Sequence, residues 1–464
     1  MSLDAVFKHI DECKDVYIQR LADAVAIQSV SADDKKRDEC VKMVSWTENL
    51  LRKIGATTEI VPLSVEGHND PPLPPVLLGV LGNDPNKKTL VVYGHLDVQP
   101  AKKSDGWSTD PFVLTEVGGK LFGRGSTDDK GPVLGWINAI ETMQILGMEI
   151  PINIKFVFEC MEESGSIGLE EMLFERQSFL KNVEYVCISD NYWLGTTKPC
   201  LTYGLRGISY FTAKVSHPAT DLHSGLHGGL VHEPMDDLLW ILNQVSKDGK
   251  PNFPGLNEMV APVTPEEEDM YKNIDFSVDS YQKSTSANIR QKDKTDLLMN
   301  RWRYPSISVH GIEGAFSDAG AKTVIPSSVI GKFSIRTVPN MTPEKVETLV
   351  VDHLNTLWKQ RNSPNDFKGV AFHSGKSWLT DPKGANFQAA AKAIKTVYGV
   401  DPDYTREGGS IPITITFQEL SGVPVLLLPM GAADDNPHAQ NEKIDVRNYV
   451  EGIKLLAAYI FELA

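Results

Sequence analysis

The chain has little cysteine, fewer basic than acidic residues, and no long hydrophobic run. Its five cysteines among 464 residues are scattered without a C-x-x-C spacing, which argues against a disulfide framework and favours a reducing compartment. Lys and Arg total 46 against 61 Asp and Glu, and the net charge of -15 argues against nucleic acid or an anionic membrane as a partner. No apolar run is long enough to cross a bilayer, and the first residues lack the pattern of a secretory signal. The sequence therefore predicts a cytoplasmic protein.

The hydrophobic pattern of the first two hundred residues predicts an α/β domain. Helical and strand-like segments alternate there, and such alternation is typical of a largely parallel sheet. The predicted helices cover 5–28, 39–54 and 130–146. The predicted strands cover 88–95, 152–159 and 183–190.

The pattern changes near residue 205 and returns near residue 380. Segments 207–216 and 329–339 alternate like half-exposed antiparallel strands, and a helix is predicted over 341–360. We therefore predict one α/β domain, formed by 1–206 and 380–464, that is interrupted by a smaller inserted α+β domain at 207–379.

Carboxylates and imidazoles collect where the predicted strands end. In open α/β sheets, ligands bind beyond the carboxyl ends of the strands. The residues expected at that rim are His95, Asp97, Asp128, Asp129, Glu162, Glu163, Asp190 and His438.

Each piece of this rim has an alternative explanation. The Asp128-Asp129 pair could cap the following helix, which is worth about 0.3–1 kcal/mol, and Glu162-Glu163 could form a solvated turn. Together the residues indicate a bound divalent cation, because a cation makes clustered carboxylates favourable. Histidine with Asp or Glu suits Zn²⁺ or Mn²⁺. A ligand set of this size fits two ions that lie about 3.5–4 Å apart and share a carboxylate.

The two adjacent glutamates can then have different roles. Successive side chains on an extended segment point in opposite directions, so one of them can bind metal while the other faces the attacking water as a general base. His95 and Asp97 share one face by the same rule, and an aspartate there can accept the imidazole N–H of a histidine ligand.

These residues lie in motifs that resemble those of the M20-family metallopeptidases. The motifs occur in the family's order along nearly the whole chain, and the resemblance is strongest to the dipeptidase branch that cleaves Cys-Gly or carnosine. One departure is PHAQ around His438, where relatives often have a smaller residue before the histidine and a serine after it. The matching segments are YGHLDVQP, FGRGSTDDKGP, MEESGS, ISDNYWLG, TYGLRG, DLHSG, GAFSDAGAKTVIP, FSIRTVPNM, TREGGSIPIT and PHAQNEK.

The resemblance implies a set of metal ligands and a base. His95, Asp128 and Asp190 would bind one ion. Asp128, Glu163 and His438 would bind the other, so that Asp128 bridges the two ions. Asp128 is preferred to Asp129 because the family's G-R-G-x-x-D pattern falls on it. Glu162 would be the general base, and Asp97 would orient His95.

The resemblance also implies a homodimer and a substrate site. His223 would reach the active site of the other subunit through the inserted domain, which would act as a lid and dimerisation domain. Arg336 would bind the terminal carboxylate of the substrate, and Thr323 and Ser410 would contact the substrate. Alternatively, Arg336 is an exposed strand residue, Ser410 a turn residue, and His223 an interface residue without a chemical role. His310 and His373 are lesser candidates.

The resemblance predicts metal-dependent hydrolysis of dipeptides such as Cys-Gly, by a metal-bridging water that a glutamate base activates. One rival is an aminoacylase or a single-residue carboxypeptidase on the same scaffold. The other is a catalytically silent metal-binding protein, which would not need Glu162.

Overall fold

A computed structural model of the protein describes residues 2–67 and 70–464. Its helices are α1 Leu3–Glu12, α2 Lys14–Ala26, α3 Arg37–Lys53, α4 Lys130–Ile145, α5 Leu169–Glu175, α6 Ser224–His227, α7 Pro234–Val245, α8 Pro265–Asn273, α9 Val278–Thr285, α10 Lys294–Trp302, α11 Pro343–Arg361, α12 Ala385–Tyr398, α13 Ile413–Ser421 and α14 Val446–Glu462. Its strands are β1 Thr57–Val61, β2 Val76–Leu81, β3 Thr89–His95, β4 Thr115–Val117, β5 Lys120–Phe122, β6 Asn153–Glu159, β7 Tyr185–Ile188, β8 Cys200–Leu205, β9 Gly207–Ser216, β10 Leu222–His223, β11 Ser246–Lys247, β12 Lys250–Pro251, β13 Ser306–Glu313, β14 Val324–Ile325, β15 Ser328–Thr337, β16 Asp366–Gly375, β17 Trp378–Leu379, β18 Asp403–Glu407, β19 Val425–Leu427 and β20 Lys443–Asp445.

A nine-stranded mixed sheet is the largest sheet of the described chain. Its order is β1-β2-β6-β3-β7-β19-β8-β17, and β18 also pairs with β8. The central strands β6, β3, β7 and β19 run parallel, whereas β1, β2 and β17 pair antiparallel with their neighbours. Every residue of β3 is buried, as expected for a strand covered by packing on both faces of the sheet. The predicted α/β class is confirmed, with antiparallel strands at both edges of the sheet.

Two hydrophobic clusters cover the faces of this sheet. The larger cluster contains the buried sides of α1, α2, α3, α4, α12 and α14. The smaller one contains residues of α5 and α13 packed against the opposite face. Because helices cover both faces, the carboxyl ends of the central strands form an open rim.

A second, four-stranded antiparallel sheet has the order β13-β15-β9-β16. The inward residues of β9 and β15 pack against α7 and α11 in a hydrophobic cluster of their own. Strand β9 alternates buried and half-exposed positions, as the sequence pattern predicts for an antiparallel strand.

The helical segment α8–α10 packs away from that second sheet. Tyr271, Leu298 and Trp302 from these helices form a cluster with Trp193 and Cys200, which belong to the nine-stranded part. Trp378 and Leu379 likewise pair with β8 of the large sheet. Both segments lie inside the range 207–379, so not all of that range belongs to the small sheet.

The predicted helix over 5–28 is two helices. Helix α1 ends at Glu12 and α2 begins at Lys14, because Cys13 has φ −100° and ψ 9° and its N–H bonds the carbonyl of His9. None of the helices in the described part of the chain combines the length and the apolar character that crossing a bilayer requires.

Candidate metal centre

The ends of three neighbouring parallel strands bring the predicted residues together. Strand β3 ends at His95, and Asp190 follows two residues after the end of β7. Strand β6 ends at Glu159 and leads into a short 3₁₀ turn, Glu162–Ser164. Because β3 runs parallel to both β6 and β7, the side chains that follow these strands lie at one edge of the sheet.

His95, Asp128 and Asp190 form the first group of candidate ligands. His95 Nε2 lies 3.0 Å from Asp128 Oδ1 and 3.8 Å from Asp190 Oδ1. His95 and Asp128 are buried and Asp190 is nearly so. One ligand atom from each residue lies within 4.8 Å of the others, a spacing that suits a single metal ion.

Asp128, Glu163 and His438 form the second group. His438 Nε2 lies 3.2 Å from Asp128 Oδ2 and 2.9 Å from Glu163 Oε2, and the three ligand atoms again lie within 4.8 Å of one another. The two oxygens of Asp128 thus face different histidines. Asp128, rather than Asp129, belongs to both groups.

The charges of the cluster fit divalent cations. Burial raises the pKa of Asp190, and the nearby Asp128 carboxylate raises it further. Burial likewise raises the pKa of Glu163, and that of Glu162 rises well above its usual value for the same reason. These carboxylates are therefore costly to ionise together without positive charge beside them. Nitrogen and oxygen ligands shared through one carboxylate match a pair of ions such as Zn²⁺ or Mn²⁺.

The two histidines compensate part of this negative charge. Burial alone would lower the pKa of His95, but Asp190 and a hydrogen bond to Asp128 raise it well above its usual value. Hydrogen bonds to Asp128 and Glu163 raise the pKa of His438 to about 10. The Nε2 atoms of both rings face the same carboxylate oxygens that metal ions would contact.

Asp97 connects His95 to the 3₁₀ turn Glu162–Ser164, which we call the glutamate turn. His95 Nδ1 lies 3.1 Å from the Asp97 carbonyl oxygen and 3.5 Å from its carboxylate, so both acceptors of Asp97 face this ring nitrogen and the carbonyl is the nearer one. The carboxylate instead accepts the backbone N–H of Glu162 at 3.2 Å and of Glu163 at 3.1 Å. A proton on Nδ1 leaves Nε2 of His95 free as a ligand.

Glu442 is a buried carboxylate of the site that sequence reasoning missed. Its Oε1 accepts the backbone N–H groups of Gly125, Thr127 and Asp128 at 3.0–3.2 Å, and its Oε2 pairs with Arg124 at 2.7 Å. Glu442 thereby shapes the turn that carries Asp128. The sequence did contain a signal for Glu442, because this residue lies in PHAQNEK, one of the segments that resemble the family's motifs.

Gln99 and Asp129 also position ligands without belonging to the metal groups. Gln99 Nε2 donates to Glu163 Oε2 at 2.8 Å, and Asp129 Oδ2 accepts the backbone N–H of His95 at 3.1 Å. A Cβ at residue 94 would lie 2.7 Å from Asp129 Oδ2 and 2.5 Å from Val133, so only glycine fits between β3 and α4 there.

The predicted substrate residues form two further pairs. Arg336 Nη1 lies 3.3 Å from Ser410 Oγ, and Ser410 Oγ donates to the Arg206 carbonyl at 2.6 Å. His223 and Thr323 lie beside each other, because β10 pairs with β14 and the Ser224 N–H bonds the Thr323 carbonyl at 3.1 Å. His223 is exposed, and its Nδ1 accepts the Gly225 N–H at 3.0 Å.

His310 and His373 lie on the small sheet. His310 Nε2 is 2.8 Å from Ser334 Oγ, and its ring stacks on Tyr210. His373 is exposed and pairs across the strands with Tyr210. Both histidines thus lie on the small sheet beside Tyr210, and neither belongs to the two candidate ligand groups.

The α/β sheet and the paired ligand groups at its rim define a metal-dependent hydrolase. The model of peptidase family M20/M25/M40 matches residues 91–462, and the chain belongs to this family. The family resemblance predicted from the motifs is thereby confirmed.

Relatives with assigned activities cover the chain almost completely. The Cys-Gly metallodipeptidase of Candida albicans is 51% identical over 99% of this chain and 97% of its own length. The solved structure of the dipeptidase Dug1p from Saccharomyces cerevisiae is 48% identical, covers 100% of this chain and 98% of its own, and has a TM-score of 0.88. Human carnosine dipeptidase 1 is 45% identical, with coverages of 99% and 98% and a TM-score of 0.89.

Proposed function

We propose that the protein hydrolyses dipeptides in a metal-dependent reaction. The observation that carries this proposal is the pair of ligand groups that share Asp128, with Glu162 beside them on the glutamate turn. The family membership and the dipeptidase names of the relatives support it. Substrates of the Cys-Gly type are the first candidates.

In this proposal His95, Asp128 and Asp190 hold one cation, and Asp128, Glu163 and His438 hold the second. The cations are Zn²⁺ or Mn²⁺. When bound, such a pair polarises a carbonyl and lowers the pKa of water. The hydrogen bond of His95 to the Asp97 carbonyl and that of Gln99 to Glu163 hold these two ligands in orientation.

Glu162 is the proposed general base. It takes a proton from the attacking water and then passes that proton to the leaving amine. Burial, with the neighbouring carboxylates of Asp190 and Glu163, raises the pKa of Glu162 well above its usual value, which strengthens this carboxylate as a proton acceptor. Asp97 fixes the position of Glu162 through the backbone N–H of that residue.

Arg336 and Ser410 are proposed to bind the terminal carboxylate of the substrate, and Thr323 to contact the peptide. A guanidinium can donate two parallel hydrogen bonds to a carboxylate. Arg336 is half-buried, and its contact with Ser410 already fixes one of its nitrogens. If the terminal carboxylate of the substrate is held at a fixed place, only peptides of a limited length can bring their scissile bond to the metal centre.

A homodimer is part of the proposal, with His223 acting in the active site of the other subunit. His223 is exposed, and its Nδ1 accepts a backbone N–H, so the ring proton is on the outward Nε2. The face of the small sheet opposite α7 and α11 supports an interface, because Phe372 on β16 packs against Tyr210 there and is 60% exposed.

The domain limits are likewise proposed. The catalytic domain would comprise 1–206 and 380–464, and the lid and dimerisation domain would lie within 207–379. Residue 206 lies between β8 of the large sheet and β9 of the small sheet, which supports the first limit. The contacts of α8–α10 and β17 favour assigning those segments to the catalytic domain. A cytoplasmic location completes the proposal, supported by the five free cysteines.

The experiment that tests the function uses metal-stripped protein reconstituted separately with Mn²⁺ and Zn²⁺. Each form is assayed with Cys-Gly, carnosine, a tripeptide and an N-acetyl amino acid. The proposal requires metal-dependent cleavage of at least one dipeptide and preference for it over the other classes. Preference for the tripeptide or the N-acetyl amino acid would identify a carboxypeptidase or an aminoacylase, and bound metal without any hydrolysis would identify a silent binder.

A further inference from the structure

Arg206 lies in the connection between the two sheets, beside the residues proposed to bind the terminal carboxylate of the substrate. It is the residue between β8 and β9, and its carbonyl accepts the Ser410 hydroxyl at 2.6 Å. The same hydroxyl lies 3.3 Å from Arg336 Nη1. The backbone of Arg206 therefore holds the serine that contacts Arg336.

The side chain of Arg206 also lies next to that of Arg336. Ser306 on β13 and Arg336 on β15 are direct cross-strand partners. Side chains in such a pair stand on the same face of a sheet, with Cβ atoms about 4.5–5.5 Å apart. Because Arg206 Nη1 donates to Ser306 Oγ at 3.0 Å, the guanidinium group of Arg206 lies on this face, beside Arg336.

The folded chain uses two of the three nitrogens of the Arg206 guanidinium group. Nη1 donates to Ser306, and Nε donates to the Gly408 carbonyl at 3.2 Å, whereas Nη2 has no hydrogen-bond partner among the described residues. A Cβ at residue 408 would lie 3.0 Å from Nη2, so glycine lets the segment before Ser410 pass close to the guanidinium group. Arg206 is half-buried, and its Nη2 is left for a ligand.

Positive charge is in surplus around Arg206. Burial, followed by the charges of Arg336 and Arg301, lowers the pKa of Arg206 to about 10, and Glu407 acts in the opposite direction. Glu407 is itself shared with Arg301, whose Nη2 lies 3.5 Å from its carboxylate. This group therefore contains three guanidinium ions for one carboxylate. Because positive charges in a partly buried place repel one another, the group favours a ligand with negative charge.

A substrate with one carboxylate would not balance this group. In the proposed function, the terminal carboxylate binds to Arg336 and Ser410. Together with Glu407 it supplies two negative charges for three guanidinium groups. A second carboxylate on the side chain of the C-terminal residue would supply the third, and Arg206 Nη2 is a donor suited to it.

We propose that Arg206 is a specificity-determining residue of the dipeptidase site, and that this site prefers dipeptides whose C-terminal residue is aspartate or glutamate. Arg336 binds the terminal carboxylate, and Arg206 binds the carboxylate of the side chain. The inference rests on the proposed function, because it takes Arg336 and Ser410 as the place where the terminal carboxylate binds.

The preference is tested with the dipeptides Ala-Glu and Ala-Gln, whose C-terminal side chains differ in charge but hardly in shape. Mn²⁺-loaded enzyme at low ionic strength should cleave Ala-Glu with a kcat/KM at least about tenfold higher than that for Ala-Gln. The difference should lie chiefly in KM, because a charged hydrogen bond to the substrate is gained. Equal values for the two peptides would overturn the acid preference.

Substitutions of Arg206 test which residue sets this ratio of kcat/KM values. Arg206→Met should lower the ratio to about twofold or less. Arg206→Lys keeps the charge but loses the planar fork that binds Gly408 and Ser306, and should keep a ratio of at least about fourfold. Arg290→Met is the matched control and should leave the ratio unchanged, because Arg290 is exposed and pairs with the exposed Asp248 at 3.8 Å.

Two results with these variants would overturn the role of Arg206. One is a ratio that persists in Arg206→Met. The other is an equal loss of kcat/KM for both peptides in Arg206→Met and in Arg206→Lys, which would assign the side chain a structural role alone.

Ser306→Asp tests the same charge with the arginine in place. Ser306 Oγ already lies 3.0 Å from Arg206 Nη1, so an aspartate there would pair with Arg206 and take the place of the substrate side chain. The ratio of kcat/KM values should then fall close to one. Thermal unfolding and metal content show whether the fold is retained. An unchanged ratio in the folded variant would overturn the role of Arg206.

Calorimetric titration separates this inference from the proposed function. The Mn²⁺-loaded Glu162→Gln variant, which should bind dipeptides without cleaving them, should bind Ala-Glu about tenfold more tightly than Ala-Gln. Equal Kd values, or binding of neither peptide, would overturn the inference. An unmodified protein that cleaves no dipeptide would contradict the proposed function instead, while the ratio of Kd values would still decide the role of Arg206.

Discussion

The carboxylate of Glu442 accepts the backbone N–H of Asp128 at 3.2 Å, although 314 residues separate the two along the chain. The same carboxylate neutralises Arg124, which is 3% exposed. Glu442→Gln should therefore weaken metal binding about ten- to a hundredfold and lower the unfolding temperature, because it leaves a buried guanidinium unpaired. Metal titration and thermal unfolding measure both effects.

The control for that variant is Glu451→Gln on α14. The half-exposed Glu451 pairs with the buried Lys454, which keeps its second partner Asp11 at 2.7 Å, so the loss should be below about 1 kcal/mol with unchanged metal affinity. Equal effects of the two substitutions would contradict a positioning role for Glu442.

Glu162→Gln should retain bound metal and lose turnover by about 10²–10⁴-fold, because the amide cannot take up the proton of the attacking water. Metal content by elemental analysis and kcat for Cys-Gly are the measurements. Glu171→Gln, on the exposed side of α5, is the matched control and should leave kcat unchanged. Near-normal hydrolysis by Glu162→Gln would remove Glu162 as the base.

Metal-free protein should become less stable as the pH rises from about 6.5 to about 10. The folded state raises the pKa of His438 through Asp128 and Glu163, so the stabilisation is complete below the ordinary histidine pKa and is lost as pH rises through the folded value. The raised pKa of Asp190 acts in the same direction. Asp128 has a lowered pKa, so its titration lies below this window.

Urea unfolding in the presence of a chelator measures this slope. Mn²⁺ should flatten or reverse it, because metal replaces protons on the ligands and binds more tightly at higher pH. The His438→Gln variant should reduce the slope. Metal-free stability that rises with pH would contradict the protonated pairing of His438.

Arg336→Met should raise KM for a dipeptide about ten- to a hundredfold, because a charged hydrogen bond to the substrate carboxylate is lost. The same variant should change KM for the corresponding dipeptide amide much less. Lys332→Met, on the same strand and paired only with the surface residue Glu313, is the control. Equal losses for acid and amide would contradict carboxylate binding by Arg336.

Subunit mixing tests the proposed role of His223. Dimers of His223→Ala and dimers of Glu162→Gln should each be nearly inactive. In a mixed dimer, the subunit with an intact Glu162 receives an intact His223 from its partner, so random mixing should restore about a quarter of the unmodified activity. A mixture without restored activity would place His223 and Glu162 in the same subunit's site, or outside catalysis.

The sequence predicts best what depends on short-range pattern. His95 and Asp190 could be placed at strand ends because each follows a continuous apolar run that is buried in the sheet. Glu442 could not be chosen in this way, since its partners Gly125 and Asp128 are far away in the chain and its own segment has no strand-end signal. The interruption at Cys13 was missed because neither proline nor glycine marks it.

Long-range packing limited the prediction of the domains. Helices α8 and α10 each bury an apolar side, but the pattern of such a side does not specify its partner. In the folded chain Tyr271 and Trp302 pack with Trp193 rather than with the small sheet. Likewise, the hydrogen bond of His95 Nδ1 to the Asp97 carbonyl depends on backbone geometry that a residue pattern does not contain.

The hydrogen bond between Glu442 and the Asp128 turn has a consequence for biosynthesis. His438 and Glu442 are translated long after the other residues of the two candidate ligand groups. A nascent chain that has reached only the second sheet therefore carries crowded acids without their full complement of imidazoles. Premature termination before residue 438 would therefore leave the second of the two candidate ligand groups without its imidazole, whereas the first group would keep all three of its side chains.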